Sequence, residues 1–121
     1  MTGRIRQIAL TVEDVERATA FYRDRLGMPH LFSAGRMAFF DCDGVRLMLA
    51  LPEDEVPAAS SILYFATEGI ADAHRSLVER GVAFRDEPHV VHRDDKHELW
   101  MTFFEDGEGN LHALIEEVPV A

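Results

Sequence analysis

The sequence predicts an α+β domain made of two βαβββ modules related by internal pseudo-twofold symmetry. Three observations predict it. The order strand, helix, three strands is written twice along the 121 residues. The apolar stripe Val15, Ala18, Tyr22 of the first helix recurs 55 positions later as Ile70, Ala73, Leu77. Phe39-Phe40-Asp41, followed by Gly44, returns 64 or 65 positions later as Phe103-Phe104-Glu105, followed by Gly109. A repeat of that length with conserved helix phase marks a duplicated unit.

The elements follow in order. Residues 5–11 (Ile-Arg-Gln-Ile-Ala-Leu-Thr) read as a strand. Asp14 is the expected N-cap of an amphipathic helix whose stripe runs Val15, Ala18, Tyr22 and Leu26, with Gly27 as its stop. Residues 31–34, 37–41 and 45–51 are strands, turning at Gly35 and Gly44. This first module spans about residues 4–51. Residues 52–59 carry Pro52 and Pro57 without periodicity and read as a linker. The second module, about 60–118, opens with a strand over 61–67. Its helix carries Ile70, Ala73 and Leu77 and ends at Gly81. Strands over 83–89, 97–105 and 111–117 complete it, for eight strands and two helices in a single domain.

Composition narrows the function. Apolar residues make up 47% of the chain, enough for a packed core. No apolar run approaches the roughly 20 residues that a membrane span requires. The net charge of −10 repels phosphate backbones and argues against nucleic-acid binding. Cys42 is the single cysteine, so no disulfide forms within the chain. With no apolar leader before the first strand, the expectation is a cytoplasmic protein in a reducing compartment.

Three phrases then acquire weight together: Gln7-Ile-Ala-Leu-Thr-Val-Glu-Asp14; Phe21-Tyr22 with Leu26-Gly27; and Phe104-Glu-Asp-Gly-Glu-Gly-Asn110. In this order they resemble the glyoxalase/bleomycin-resistance/dioxygenase (vicinal oxygen chelate) superfamily over essentially the whole chain. The last phrase is similar to the family hairpin Phe-x-Asp-Pro-Asp-Gly-Asn, with Gly107 where proline usually stands. The resemblance implies two sheets curving round a central cup. In metal-dependent members, four donors from the first and last strands of each module meet there.

Matched strand by strand, those four positions fall on Gln7, Met48, Ile62 and Ala113. Only Gln7 offers a hard donor. Ile62 and Ala113 offer none, and a thioether is a poor partner for Zn, Ni, Mn or Fe(II). The expectation is no metal and no cofactor. By strand alternation the cup face carries Gln7, Phe39, Arg46, Met48, Ile62, Tyr64, Met101, Phe103 and Ala113. This largely apolar set with a few polar handles suits a small-molecule pocket, or else simply fills the core.

Other groups have plainer readings. His89, His92 and His97 have spacing that suits a metal, but Arg-Asp-Asp-Lys between them reads as a solvated hairpin tip. Trp100 is either core or a stacking surface. Cys42, between Asp41 and Asp43, is a poor nucleophile because negative neighbours disfavour a thiolate.

The sequence therefore favours a metal-independent binder of an apolar or aromatic small molecule, in a resistance, sequestration or sensing role. The alternative is a divergent glyoxalase-like lyase, or another superfamily enzyme, using Gln7, Tyr64 and Arg46. A third reading is an accessory protein without a pocket. The expected partners are the small molecule and a second copy of the chain as a C2 homodimer.

Overall fold

The structure is a computed structural model describing residues 2–52 and 61–120. All of the expected linker except Pro52 lies outside the described residues. Two compact units are present. Of the described residues, one comprises 2–52 with 107–110, the other 61–106 with 111–120.

In the first unit, β1 (Gln7–Thr11) leads into α1 (Val15–Ala20). Then come β2 (His30–Ala34), β3 (Met37–Cys42) and β4 (Val45–Ala50). The sheet order is β1-β4-β3-β2, with β1 parallel to β4 and the other pairs antiparallel. Strand alternation sorts the side chains. Leu10, Val12, Ala38, Phe40, Leu47 and Leu49 are buried on the face that α1 covers. Against them sit Ala18, Phe21 and the fully buried Tyr22, whose ring lies 6.0 Å from that of Phe40. Each large side chain so buried contributes about 1.5–3 kcal/mol of transfer free energy.

Asp14 caps α1 as expected, its side chain accepting the Arg17 backbone N–H at 3.0 Å. The helix does not continue as one α-helix to Leu26. Residues Phe21–Arg25 form a π-turn, with the Leu26 N–H reaching back to the Phe21 carbonyl at 3.1 Å. The turn still keeps Tyr22 buried, and the apolar stripe gives no sign of it because it widens the turn without moving the stripe off the sheet.

In the second unit, β5 (Leu63–Ala66) precedes α2 (Ile70–Glu79). β6 (Ala83–Phe84), β7 (His89–Arg93), β8 (His97–Glu105) and β9 (Leu111–Pro119) follow. The path is β5-β9-β8-β6, and β7 also pairs with β8. This unit carries one strand beyond the expected three after its helix. The strand expected over 83–89 stops at Phe84, and Pro88, without an N–H, separates it from β7. The polar tip is real but short: the Asp94 N–H bonds to the His97 carbonyl at 3.0 Å. Its flanks are strand because Val90 and its neighbours pair with β8 across a bulge.

The core of this unit is aromatic. Phe104 and His112 are essentially inaccessible, with ring centroids 5.6 Å apart, and Phe65 and Phe84 close round them. Among the described residues, no helix is long and apolar enough to cross a membrane.

Residues 107–110 have a conformation that the resemblance did not foretell. Gly107 sits at φ 78°, which a proline, held near −65°, cannot adopt. This turn brings Glu108 against α1, where it accepts the backbone N–H groups of Glu13 and Asp14 at 2.9 and 2.8 Å and the Nε of Arg17. Asn110 donates to the Thr11 carbonyl at 3.0 Å. In the second unit Glu116 does the same work for α2, accepting from the N–H groups of Gly69 and Ile70 at 2.7 and 2.9 Å. Both carboxylates stand where the helix dipole favours negative charge.

Candidate functional site

On the first sheet, the face opposite α1 is built in three cross-strand rows. Gln7, Arg46 and Asp41 form the first row. Ala9, Met48, Phe39 and Phe32 form the second, and Thr11, Ala50, Met37 and Ala34 the third. Four of the expected site residues, Gln7, Phe39, Arg46 and Met48, are thus brought together on one face.

The first row is polar and ordered. Arg46 Nε donates to Gln7 Oε1 at 2.6 Å, and the guanidinium lies 5.4 Å from the Phe39 ring centroid. Phe32 stacks on Phe39 at 4.5 Å, so Phe39 serves as a platform and is itself nearly covered. Asp41 faces Arg46 in register, but its Oδ1 accepts the Gly44 N–H at 3.1 Å and holds the β3–β4 turn.

Beyond the second row the face opens into a cavity of about 520 Å³. Ala9, Thr11, Met37, Met48 and Ala50 line it from the strands, and Gly35, Arg36, Leu51 and Pro52 from the rim. Arg36 Nη2 is tethered to the Pro52 carbonyl at 3.3 Å. Met37 was legible from strand parity with Phe39. Arg36 and Pro52 were not, because turn residues carry no periodicity.

The other expected site residues lie on the second sheet. Tyr64, Ala113 and Phe103 form one row, and Ala66, Ile115, Met101 and His89 the next. The Tyr64 and Phe103 rings meet edge to face at 6.3 Å across the strand between them. Ala113 beneath them is fully buried, so it is floor rather than contact surface. Ile62 precedes β5 and is 40% exposed. A smaller hollow of about 390 Å³, lined by Ala66, Leu99, Ile115 and acidic residues, adjoins this face.

The donor set does not fit a divalent metal. Gln7 is the sole hard donor of the four matched positions, and its oxygen already accepts from a guanidinium, a fixed positive charge that repels a cation. Among the described residues, no three His, Cys, Asp or Glu side chains gather to hold a metal ion. His89 Nδ1 lies 2.8 Å from the Glu87 carbonyl oxygen, and Asp94 accepts the Lys96 and His97 N–H groups, which lowers its carboxyl pKa.

Trp100 lies on the opposite strand parity from Met101 and Phe103. Its buried Nε1 has no hydrogen-bond partner among the described residues. Burial pushes the Cys42 thiol upward, with Asp41 and Asp43 adding to the effect, so the thiol is a weak nucleophile.

The comparisons agree with this fold. The sequence signature of the Glyoxalase/Bleomycin resistance protein/Dioxygenase superfamily matches residues 4–114. A solved member of that superfamily from Sphaerobacter thermophilus DSM 20745 is similar at TM-score 0.79 and 25% identity, over 95% of this chain and 98% of the other. Virulence protein STM3117 from Salmonella typhimurium is similar at TM-score 0.78 and 21% identity, over 98% and 99%. A lactoylglutathione lyase from Agrobacterium tumefaciens is similar at TM-score 0.69 and 23% identity, over 95% and 94%. The last two likenesses are of fold alone. A search of curated proteins returns no match. With the signature spanning nearly the whole chain, this protein belongs to the Glyoxalase/Bleomycin resistance protein/Dioxygenase superfamily.

Proposed function

We propose that this chain binds a small apolar or aromatic molecule without a resident divalent metal, in a sequestering, resistance or sensing role. The observation that carries the reading is the cavity of about 520 Å³ on the first sheet, walled by Ala9, Met37, Met48 and Ala50. Its size lies within the range of small-molecule pockets, and its two methionines adapt to an irregular apolar surface. The reading includes a cytoplasmic homodimer. Half-exposed Leu31 and Phe32 on the edge strand β2 are the kind of apolar surface that a second copy covers, and light scattering at tens of micromolar should return twice the single-chain mass.

The test is thermal melting and calorimetry with neutral aromatic probes such as 2-naphthamide. Saturation at a hundredfold excess over Kd should add about 2.7 kcal/mol of stability. Met48→Glu places a charge in the cavity wall and should abolish the gain while the circular dichroism spectrum is retained. A folded Met48→Glu variant that binds as well as wild type overturns the assignment of this cavity.

A further inference from the structure

We infer that the ligand of this face is an anion, an aryl or alkyl carboxylate, and that Arg46 grips its carboxylate end-on. The inference rests on the small-molecule reading above and names the chemical class that the site selects.

Arg46 is held on two sides. Its Nε is fixed to Gln7 Oε1 at 2.6 Å, and Phe39 lies beneath the guanidinium at 5.4 Å. A guanidinium has five N–H donors in a planar fork, and the Nε bond to Gln7 uses one of them. No described residue takes the remaining Nη donors. Asp41, the cross-strand neighbour of Arg46, makes no ion pair with it among the described residues, and its Oδ1 accepts the Gly44 N–H. The outcome is a positive fork whose orientation is set by Gln7 and Phe39 and whose Nη groups no described residue takes. That is the geometry that carboxylates bind in bidentate fashion.

The apolar part of the ligand follows from the register. Ala9 and Met48 lie two residues along their strands from Gln7 and Arg46, about 7 Å at the usual strand rise. Beyond them the cavity opens between Met37 and Ala50. A carboxylate on Arg46 therefore projects its body over Met48 toward the cavity, and a ring system of one or two rings spans the interval. Arg46 thus supplies positive charge on the face that carries two of the matched positions, Gln7 and Met48. On a chain of net charge −10, a preference for anions must come from such a local group, since the overall field repels them.

The experiment compares matched pairs, 2-naphthoate with 2-naphthamide and phenylacetate with phenylacetamide, by calorimetry on the full chain. Wild type should prefer each acid to its amide by about tenfold or more, as hydrogen bonds to a charged group imply. Arg46→Met should erase that preference and leave amide affinity in place. Gln7→Glu keeps an acceptor beside Arg46 Nε but neutralises the fork, and should also erase the preference. Equal binding of acid and amide by wild type, or a preference surviving in Arg46→Met, overturns the inference while the cavity reading stands. Binding of neither member of either pair overturns both.

Discussion

The backbone N–H of Asp14 donates to Glu108 Oε1 at 2.8 Å, joining residues 94 positions apart. The Glu13 N–H shares that oxygen, and Arg17 binds the other. The Glu108 side chain is only 1% exposed, so the Glu13, Asp14 and Arg17 donors stand where water would otherwise bind. Glu108→Ala removes the acceptor of the Glu13 and Asp14 N–H groups, which lead into α1, and the partner of Arg17 Nε. The expected loss is about 1–2 kcal/mol, since two part-buried hydrogen bonds and an ion pair are lost while water can reach the exposed donors. Thermal melting should fall by roughly 5 °C on the usual size scaling. Glu108→Gln keeps an acceptor for Glu13 and Asp14 and should lose less, because half-exposed Arg17 contributes little through water. A Glu108→Ala variant that melts with wild type would show that these contacts do not stabilise the entry to α1.

His112 predicts a pH dependence. It is fully buried among Phe65 and Phe104, and burial lowers its pKa from 6.5 to about 4, opposed by Asp106. The native state keeps the imidazole neutral, whereas the unfolded chain takes up a proton below 6.5. Stability from this group is therefore complete above pH 6.5 and is lost as pH falls toward about 4. The full difference, at 1.36 kcal/mol per pH unit, is about 3 kcal/mol. Urea unfolding of wild type and His112→Leu at pH 7.5, 6 and 5 should show the wild type losing stability faster on acidification. Parallel pH profiles would mean that His112 is protonated in place.

Metal content is the third measurement. Protein purified from medium supplemented with Zn²⁺ and Ni²⁺ should carry no stoichiometric metal by elemental analysis, because Gln7 is engaged by Arg46 and Met48, Ile62 and Ala113 supply no hard donor. One tightly held ion per chain, lost in Gln7→Ala, would make metal-assisted catalysis the leading account.

Much of this was legible in the order of residues. Alternation along Gln7–Thr11 and Val45–Ala50 reads as a buried and an open face because side chains of a strand leave it on opposite sides. The helical stripe through Ala18 and Tyr22 reads as a packing face for the same geometric reason. Asp14 announces its cap because its partner, Arg17, is three residues away. Such features are local, and local geometry is written in spacing.

What tertiary structure alone decided are the partners far apart in sequence. Glu108 reads as one more acid in a loop, yet it holds the backbone N–H of Asp14, the α1 N-cap residue, from 94 residues away. Arg46 was a polar handle of unknown orientation until Gln7, 39 residues before it, fixed its Nε. Ala113 shares the parity of a ligand-facing residue but is sealed under Tyr64 and Phe103. Spacing determines which side of a strand a residue occupies. Which neighbour satisfies its charge or covers its surface depends on strands that meet only after the chain has folded.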